Sequence, residues 1–162
     1  MIDPNQLLDV AAELARAPSR GAPRQAKLRR AISTAYYALF HCMVGAASDL
    51  LAGQNARGTK RHTSVYRAFE HKRMADVCKQ VSQGTLRNES GVPFHTNIQE
   101  CAAAFAELQE SRHGADYDPT LRLPLSDAKA AVSKARDAVE KLQAAPNDER
   151  FYFLTLLQFK PR

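Results

Sequence analysis

The sequence predicts an all-α fold, an up-and-down bundle of four to five helices with an additional short C-terminal helix. Three observations predict it. Helix-forming Ala, Leu, Gln, Glu, Lys and Arg dominate, while Trp is absent and β-branched residues are sparse. Long stretches repeat their apolar residues at three- and four-residue spacing. Capping residues fall at the ends of those stretches. The 162 residues are taken as a single domain, 1–162, long enough to bury a core unaided.

Asp3-Pro4-Asn5-Gln6 opens the first helix, with Asp as N-cap, Pro at the first position and Gln at the third. It carries Leu7, Leu8, Ala11, Leu14 and Ala15 and runs to about Ala17. Pro18 to Pro23 is a break. A long second helix spans about Arg24 to Ala52 and stops at Gly53. Gln54 to Thr59 is a turn. A third helix covers about His62 to Gln83 on Val65, Ala68, Phe69, Val77 and Val81, and Gly84 to Pro93 is loop. The fourth helix begins with the capping box Thr96-Asn97-Ile98-Gln99, continues to about Ala115 and ends at Asp118-Pro119. Leu121 to Pro124 leads to a fifth helix capped by Ser126, with Val132, Ala135, Val139 and Leu142 along one side. After a break at Ala144 to Asn147, residues 147–160 form an apolar C-terminal segment. Over 150–158 periodicity alone does not separate a buried helix from a strand. Nothing else in the chain is strand-like, so helix is preferred, packed across the bundle or against a second copy.

Composition excludes several classes. No run reaches the 18 or more apolar residues of a membrane span, and Met1-Ile2-Asp3-Pro4 lacks the form of a signal peptide. Cys42, Cys78 and Cys101 have no metal-like spacing and read as reduced, packed thiols, so a cytoplasmic protein is expected. His62 and His71 are nine apart, with no carboxylate to complete a metal set; no metal or cofactor is expected. There is no phosphate-binding Gly loop and no Ser nucleophile elbow. The net charge of +6 is unevenly spread. Arg16, Arg20, Arg24, Lys27, Arg29 and Arg30 lie together without an acid, and Arg57, Lys60, Arg61, Arg67, Lys72 and Arg73 face only Glu70. From residue 96 onward nine basic groups meet ten acidic ones. The basic first half either attracts a polyanion such as RNA or serves solubility.

Two segments stand out. In the second helix, Leu28, Ile32, Ala35, Leu39, Met43, Ala46 and Leu50 share one face at about 100° per residue. Arg30, Thr34, Tyr37 and His41 share the opposite face within a sector of about 60°. A narrow band of Arg, hydroxyl, Tyr and His is unlike an ordinary solvated helix face. Tyr36 and Phe40 fall between the bands and are assigned to the core, and Gly45 is expected to allow close helix approach. In the fourth helix, Ile98, Cys101, Ala102, Phe105 and Leu108 define an apolar face, and the same spiral puts Arg112 and Asp116 within about 20° of its centre. Charges there require partners or an aqueous cleft. One reading is a site; the other is an Arg at a helix end pairing with Asp116 at i+4. His113 and Tyr117 form a second i, i+4 pair.

Arg30-Ala31-Ile32-Ser33-Thr34-Ala35-Tyr36-Tyr37-Ala38-Leu39-Phe40-His41, followed by Arg112-His113-Gly114-Ala115-Asp116-Tyr117, resembles the HEPN superfamily over about residues 24–143. The branch it looks most like is that of small bacterial proteins with an "RxAISxAYYAxFH" helix and a later "R…ADY" element. The resemblance implies a helical bundle forming a homodimer, with a cleft between subunits. It also implies action on RNA or nucleotide phosphates, many members being metal-independent endoribonucleases. Often these are toxins paired with a minimal nucleotidyltransferase antitoxin. The family's active motif is an Arg, a polar residue, three to five further residues and a His. Arg112 matches the Arg and His113 the polar residue, but Tyr117 stands where the terminal His is expected. Arg112 can stabilise phosphate charge through bidentate hydrogen bonds. Tyr117 offers a phenol, a poor base at neutral pH. The expected catalytic set is therefore Arg112, His113 and Tyr117, with Arg30, Tyr37, His41 and Asp116 binding substrate. The alternatives are a non-catalytic HEPN module binding nucleotide, RNA or a partner protein, and a dimeric helical scaffold.

Overall fold

A computed structural model describes residues 2–16 and 24–159, and among these every regular element is helical. The helices are α1 (Pro4–Leu14), α2 (Arg24–Ala52), α3 (Lys60–Arg67), α4 (His71–Ser82), α5 (Thr96–Tyr117), α6 (Leu125–Ala144) and α7 (Asn147–Leu156), with one 3-10 turn at Gln54–Ala56. The expected break at Pro18–Pro23, and Arg20 with it, lies outside the described residues.

Helix α2 is the axis of the bundle, with α1, α3, α5, α6 and α7 all against it. That position explains why its two bands do not divide core from solvent. Ser33, Thr34 and Ser48 are buried along with Leu28, Ile32, Leu39 and Met43. Only the N-terminal part of the polar band, at Arg30, is exposed. Ser33 and Tyr37 meet Asp116 and Arg112 in reverse order, so α2 and α5 run antiparallel. Glu107 with Lys134 and Glu100 with Lys141 show the same for α5 and α6. Nearly all the buried apolar side chains form one cluster, with Tyr36, Phe105, Leu108, Leu39 and Met43 among its fully buried members. Burying side chains of this size contributes about 1.5–3 kcal/mol each before entropy is counted.

Several ends follow from local chemistry. The Asp3 carboxylate accepts from the Asn5 N–H at 2.9 Å, and Pro4 occupies the first helical position. Gly53 stops α2 at φ 87°, a conformation side chains with Cβ rarely adopt. At the end of α5, Arg29 donates to the Ala115 and Leu121 carbonyls at 2.7 and 2.6 Å. Its charge sits at the negative end of the helix, where a cation is favoured. The C-terminal segment is helical, as preferred, and packs across this chain's own bundle. Phe153 and Leu154 are buried, and Arg73 donates to the Leu156 and Leu157 carbonyls, both at 3.1 Å.

One helix and two caps differ from the sequence expectation. The third helix is two, broken at Ala68–Glu70, where Phe69 turns into the core and the chain restarts at His71. The His71 carbonyl accepts from Gln109 of α5, which fixes where α4 begins. Thr96 is not a cap. The preceding His95 accepts from the Asn97 N–H through Nδ1 at 3.2 Å, because its own N–H is held by Glu149 of α7. Ser126 does not cap α6, which starts at Leu125 directly after Pro124. The side-chain amide of Gln25 clamps both the N–H and the carbonyl of Leu123 and sets that start.

Candidate functional site

The C-terminal half of α5 carries Arg112 against the middle of α2. Its side chain is 20% exposed. Nη2 donates to the Tyr37 hydroxyl at 2.9 Å, and Nε lies 2.7 Å from Asp116 Oδ2 without hydrogen-bond alignment. The Ser33 hydroxyl donates to the other Asp116 oxygen. The Arg112 carbon Cζ sits 5.5 Å from the ring centres of Tyr37 and Tyr117 and 6.0 Å from that of Tyr36. A cation held over ring faces in this way is stabilised by their quadrupoles. Burial works against the charge, but Tyr37, Asp116 and Tyr117 outweigh it, and the Arg112 pKa is raised. Arg112 is therefore a fixed cation: it pairs with Asp116 at i+4, as the helix-end reading expects, and it also reaches across to Tyr37.

Beyond Tyr37 the band continues into a layer of rings. His41, one turn along α2, lies parallel to Tyr37 (centroids 6.1 Å apart, 23°) and to Tyr66 of α3 (5.9 Å, 11°). The Tyr66 hydroxyl lies 2.6 Å from His41 Nδ1. His71, the first residue of α4, stacks on Phe40 at 4.1 Å, and its Nδ1 lies 2.6 Å from the Tyr36 hydroxyl. Burial, then the charge of Arg112, pushes the His71 pKa down; burial, then His71, does the same for His41. Both imidazoles are neutral at pH 7. Burial pushes the Tyr36 and Tyr66 phenols up, so both keep their protons.

The structure brings together Arg112, Asp116, Tyr117, Tyr37 and His41 of the expected set. It does not bring in the other two. Arg30 is exposed and makes no hydrogen bond, ion pair or ring contact among the described residues. His113 is exposed, and its ring meets that of Tyr117, with centroids 5.0 Å apart; it has no hydrogen bond or ion pair with Arg112 among the described residues. With Gln109, Glu110 and Arg112 it lines a shallow depression of about 310 Å³. Tyr117 is 63% exposed and covers one side of the guanidinium.

Four participants escape the sequence reading. Tyr36 belongs to the core, as expected, and its ring is fully buried, but its hydroxyl also carries the bond to His71. His71 falls in mid-helix by sequence, and only the break at Phe69 aims it at α2. Tyr66 and Ser33 give no sequence signal beyond being polar on helices. A second polar cluster lies at the far end of α2, where Asp49 takes Arg57 and the buried His62, the latter at 3.0 Å. Among the described residues no three His, Cys, Asp or Glu side chains converge as a metal site. No helix among them is long and apolar enough to cross a membrane. No family model, curated protein or solved structure matches the chain.

Proposed function

We propose that this chain is a HEPN-type module that binds the phosphate of RNA or a nucleotide at Arg112, in a cleft completed by a second copy of the chain. The observation that carries the reading is the state of the Arg112 guanidinium. Its Nε and Nη2 are held by Asp116 and Tyr37, while Nη1 has no hydrogen-bond partner among the described residues and is not sealed from solvent. An oriented cation with one free edge is suited to a phosphate oxygen. Tyr37 adds to this. Its oxygen accepts from Arg112, which leaves its own O–H free to donate. The two motifs of the HEPN resemblance meet at this bond, and the basic first half of the chain would draw a polyanion toward it.

Binding is preferred to cleavage because no base stands ready at Arg112. Tyr117 is a phenol, and His113 has no hydrogen bond to Arg112 or Asp116 among the described residues, its ring meeting that of Tyr117. The test is titration of the full chain with AMP and with a short single-stranded RNA, wild type against Arg112→Ala, in chelator. We expect both ligands to bind wild type without RNA cleavage, and Arg112→Ala to weaken binding about tenfold or more, the scale of a lost charge-assisted contact. Metal-independent cleavage that disappears in Arg112→Ala would replace the binding reading with the endoribonuclease one. Equal binding by the variant would overturn both. Sedimentation of the same samples tests the second copy, with a dimer expected and a monomer at all concentrations contradicting it.

A further inference from the structure

His71 stands against the same two rings as Arg112. Its ring centre lies 5.7 Å from that of Tyr36 and 6.0 Å from that of Tyr37. The Arg112 Cζ lies 6.0 and 5.5 Å from those same rings. The two side chains come from different helices, α4 and α5, and Gln109 ties the His71 backbone to α5. They therefore share one stretch of the α2 surface.

The proton on His71 follows from its surroundings. Tyr36 is fully buried, and His71 Nδ1, at 2.6 Å, is its hydroxyl's one hydrogen-bond partner among the described residues. A buried O–H that did not donate there would be left unpaired, which is costly. The hydroxyl therefore donates, and Nδ1 accepts. A neutral imidazole whose Nδ1 accepts carries its hydrogen on Nε2. That Nε2 has no partner among the described residues and is not sealed from solvent. The ring cannot rotate to serve another role without breaking the Tyr36 bond and its stacking on Phe40.

We propose that His71 is a second phosphate ligand of this site, its Nε2–H donating to the same phosphate group that takes Nη1 of Arg112. The proposal rests on the phosphate-binding reading of Arg112. It gives His71 a positioning role: as an N–H donor it holds an oxygen, and it is not the acceptor of a 2′-hydroxyl proton. The ligand class is a phosphate ester, with one oxygen toward α5 and another toward α4.

The experiment uses the full chain and AMP. Affinity is measured for wild type, Arg112→Ala, His71→Ala and His71→Gln, and the imidazole nitrogens of the wild type are followed by nitrogen-15 NMR. We expect His71→Ala to bind AMP about ten- to a hundredfold more weakly, the range for one hydrogen bond to a charged group. His71→Gln, whose amide N–H can stand near the Nε2 position, should recover most of that loss. The free wild type should show His71 protonated at Nε2, with that resonance moving on AMP addition. A ring protonated at Nδ1, or an Nε2 signal indifferent to bound AMP, overturns the proposal even if the variants fold poorly. Weak binding by Arg112→Ala together with unchanged binding by His71→Ala overturns it and leaves the phosphate site standing. Unchanged binding by Arg112→Ala, or no AMP binding by the wild type, removes the proposed function and this inference with it.

Discussion

Tyr37 accepts a hydrogen bond from Arg112 at 2.9 Å across 75 residues of sequence, and this contact joins the centre of α2 to the C-terminal half of α5. The tyrosine is thereby oriented by a cation that is itself held by Asp116, which Ser33 steadies in turn. The residues that aim the guanidinium also fasten the two helices.

Arg29 is the principal fastener one turn below. It donates to the Ala115 carbonyl in the last turn of α5 and to the Leu121 carbonyl in the connection that follows. Replacing it with Ala leaves both acceptors to water and removes the cation from the helix C-terminus. We expect Arg29→Ala to cost about 2 kcal/mol and to lower the melting temperature by roughly 4–8 °C. Calorimetry checks this, and a shift under about 1 °C would contradict it.

Tyr36→Phe keeps the buried ring and removes only the hydroxyl that donates to His71. The imidazole edge left behind can recruit water, so the loss should be modest, about 1 kcal/mol. The more specific expectation is spectroscopic: nitrogen-15 NMR should show His71 losing its preference for the proton on Nε2. An unchanged tautomer in Tyr36→Phe would contradict the assignment of donor and acceptor.

The expectation that Gly45 permits close helix approach is contradicted by the structure. A Cβ built there meets nothing within 4 Å. The position is mid-helix with ordinary backbone, so Gly45→Ala gains helix propensity without a clash. We expect a stabilisation of about 0.5–1 kcal/mol in thermal or urea unfolding, and destabilisation would contradict it.

Stability should depend on pH through His41 and His71. Both have folded pKa values below the ordinary value near 6.5, so below that pH the unfolded chain binds more protons than the folded one. Their contribution is fully present above pH 6.5 and is lost as the pH falls toward the depressed folded values. Asp49 adds a separate loss at lower pH, because the hydrogen bond from Arg57, against some burial and aided by His62, holds its carboxyl below the usual carboxylate range. We expect the melting temperature to be level from about pH 7 to 8 and to fall from about pH 6.5 to 5, with the slope reduced in His71→Gln. A rise on acidification through this range would contradict the account.

Much of the fold is legible in the sequence, because helix period, Gly stops and Pro breaks are local signals. The α2 boundaries, the Asp3 cap and the Asp118-Pro119 end are readable for that reason. The break at Phe69 is not, since it depends on a long-range choice: Phe69 enters the core and Gln109 holds the His71 carbonyl. Helix α5 is capped by His95 instead of Thr96, and α6 starts at Leu125 with no cap from Ser126, because Glu149 and Gln25, distant in sequence, pin the preceding backbone. At the site, the convergence of Arg112 with Tyr37 is legible from two helical spirals. Arg30 drops out because the polar band leaves the bundle at its N-terminal end. His71 stays hidden because nothing local splits its element from the helix before it.

The central claim is that the guanidinium of Arg112 is a phosphate ligand. Its most direct measurement is AMP affinity of the full chain by calorimetry for wild type, Arg112→Ala and Arg112→Lys. The account predicts binding by the wild type, a loss of about tenfold or more in Ala, and incomplete recovery in Lys, which keeps the charge but not the planar fork. Equal affinity in all three would contradict it.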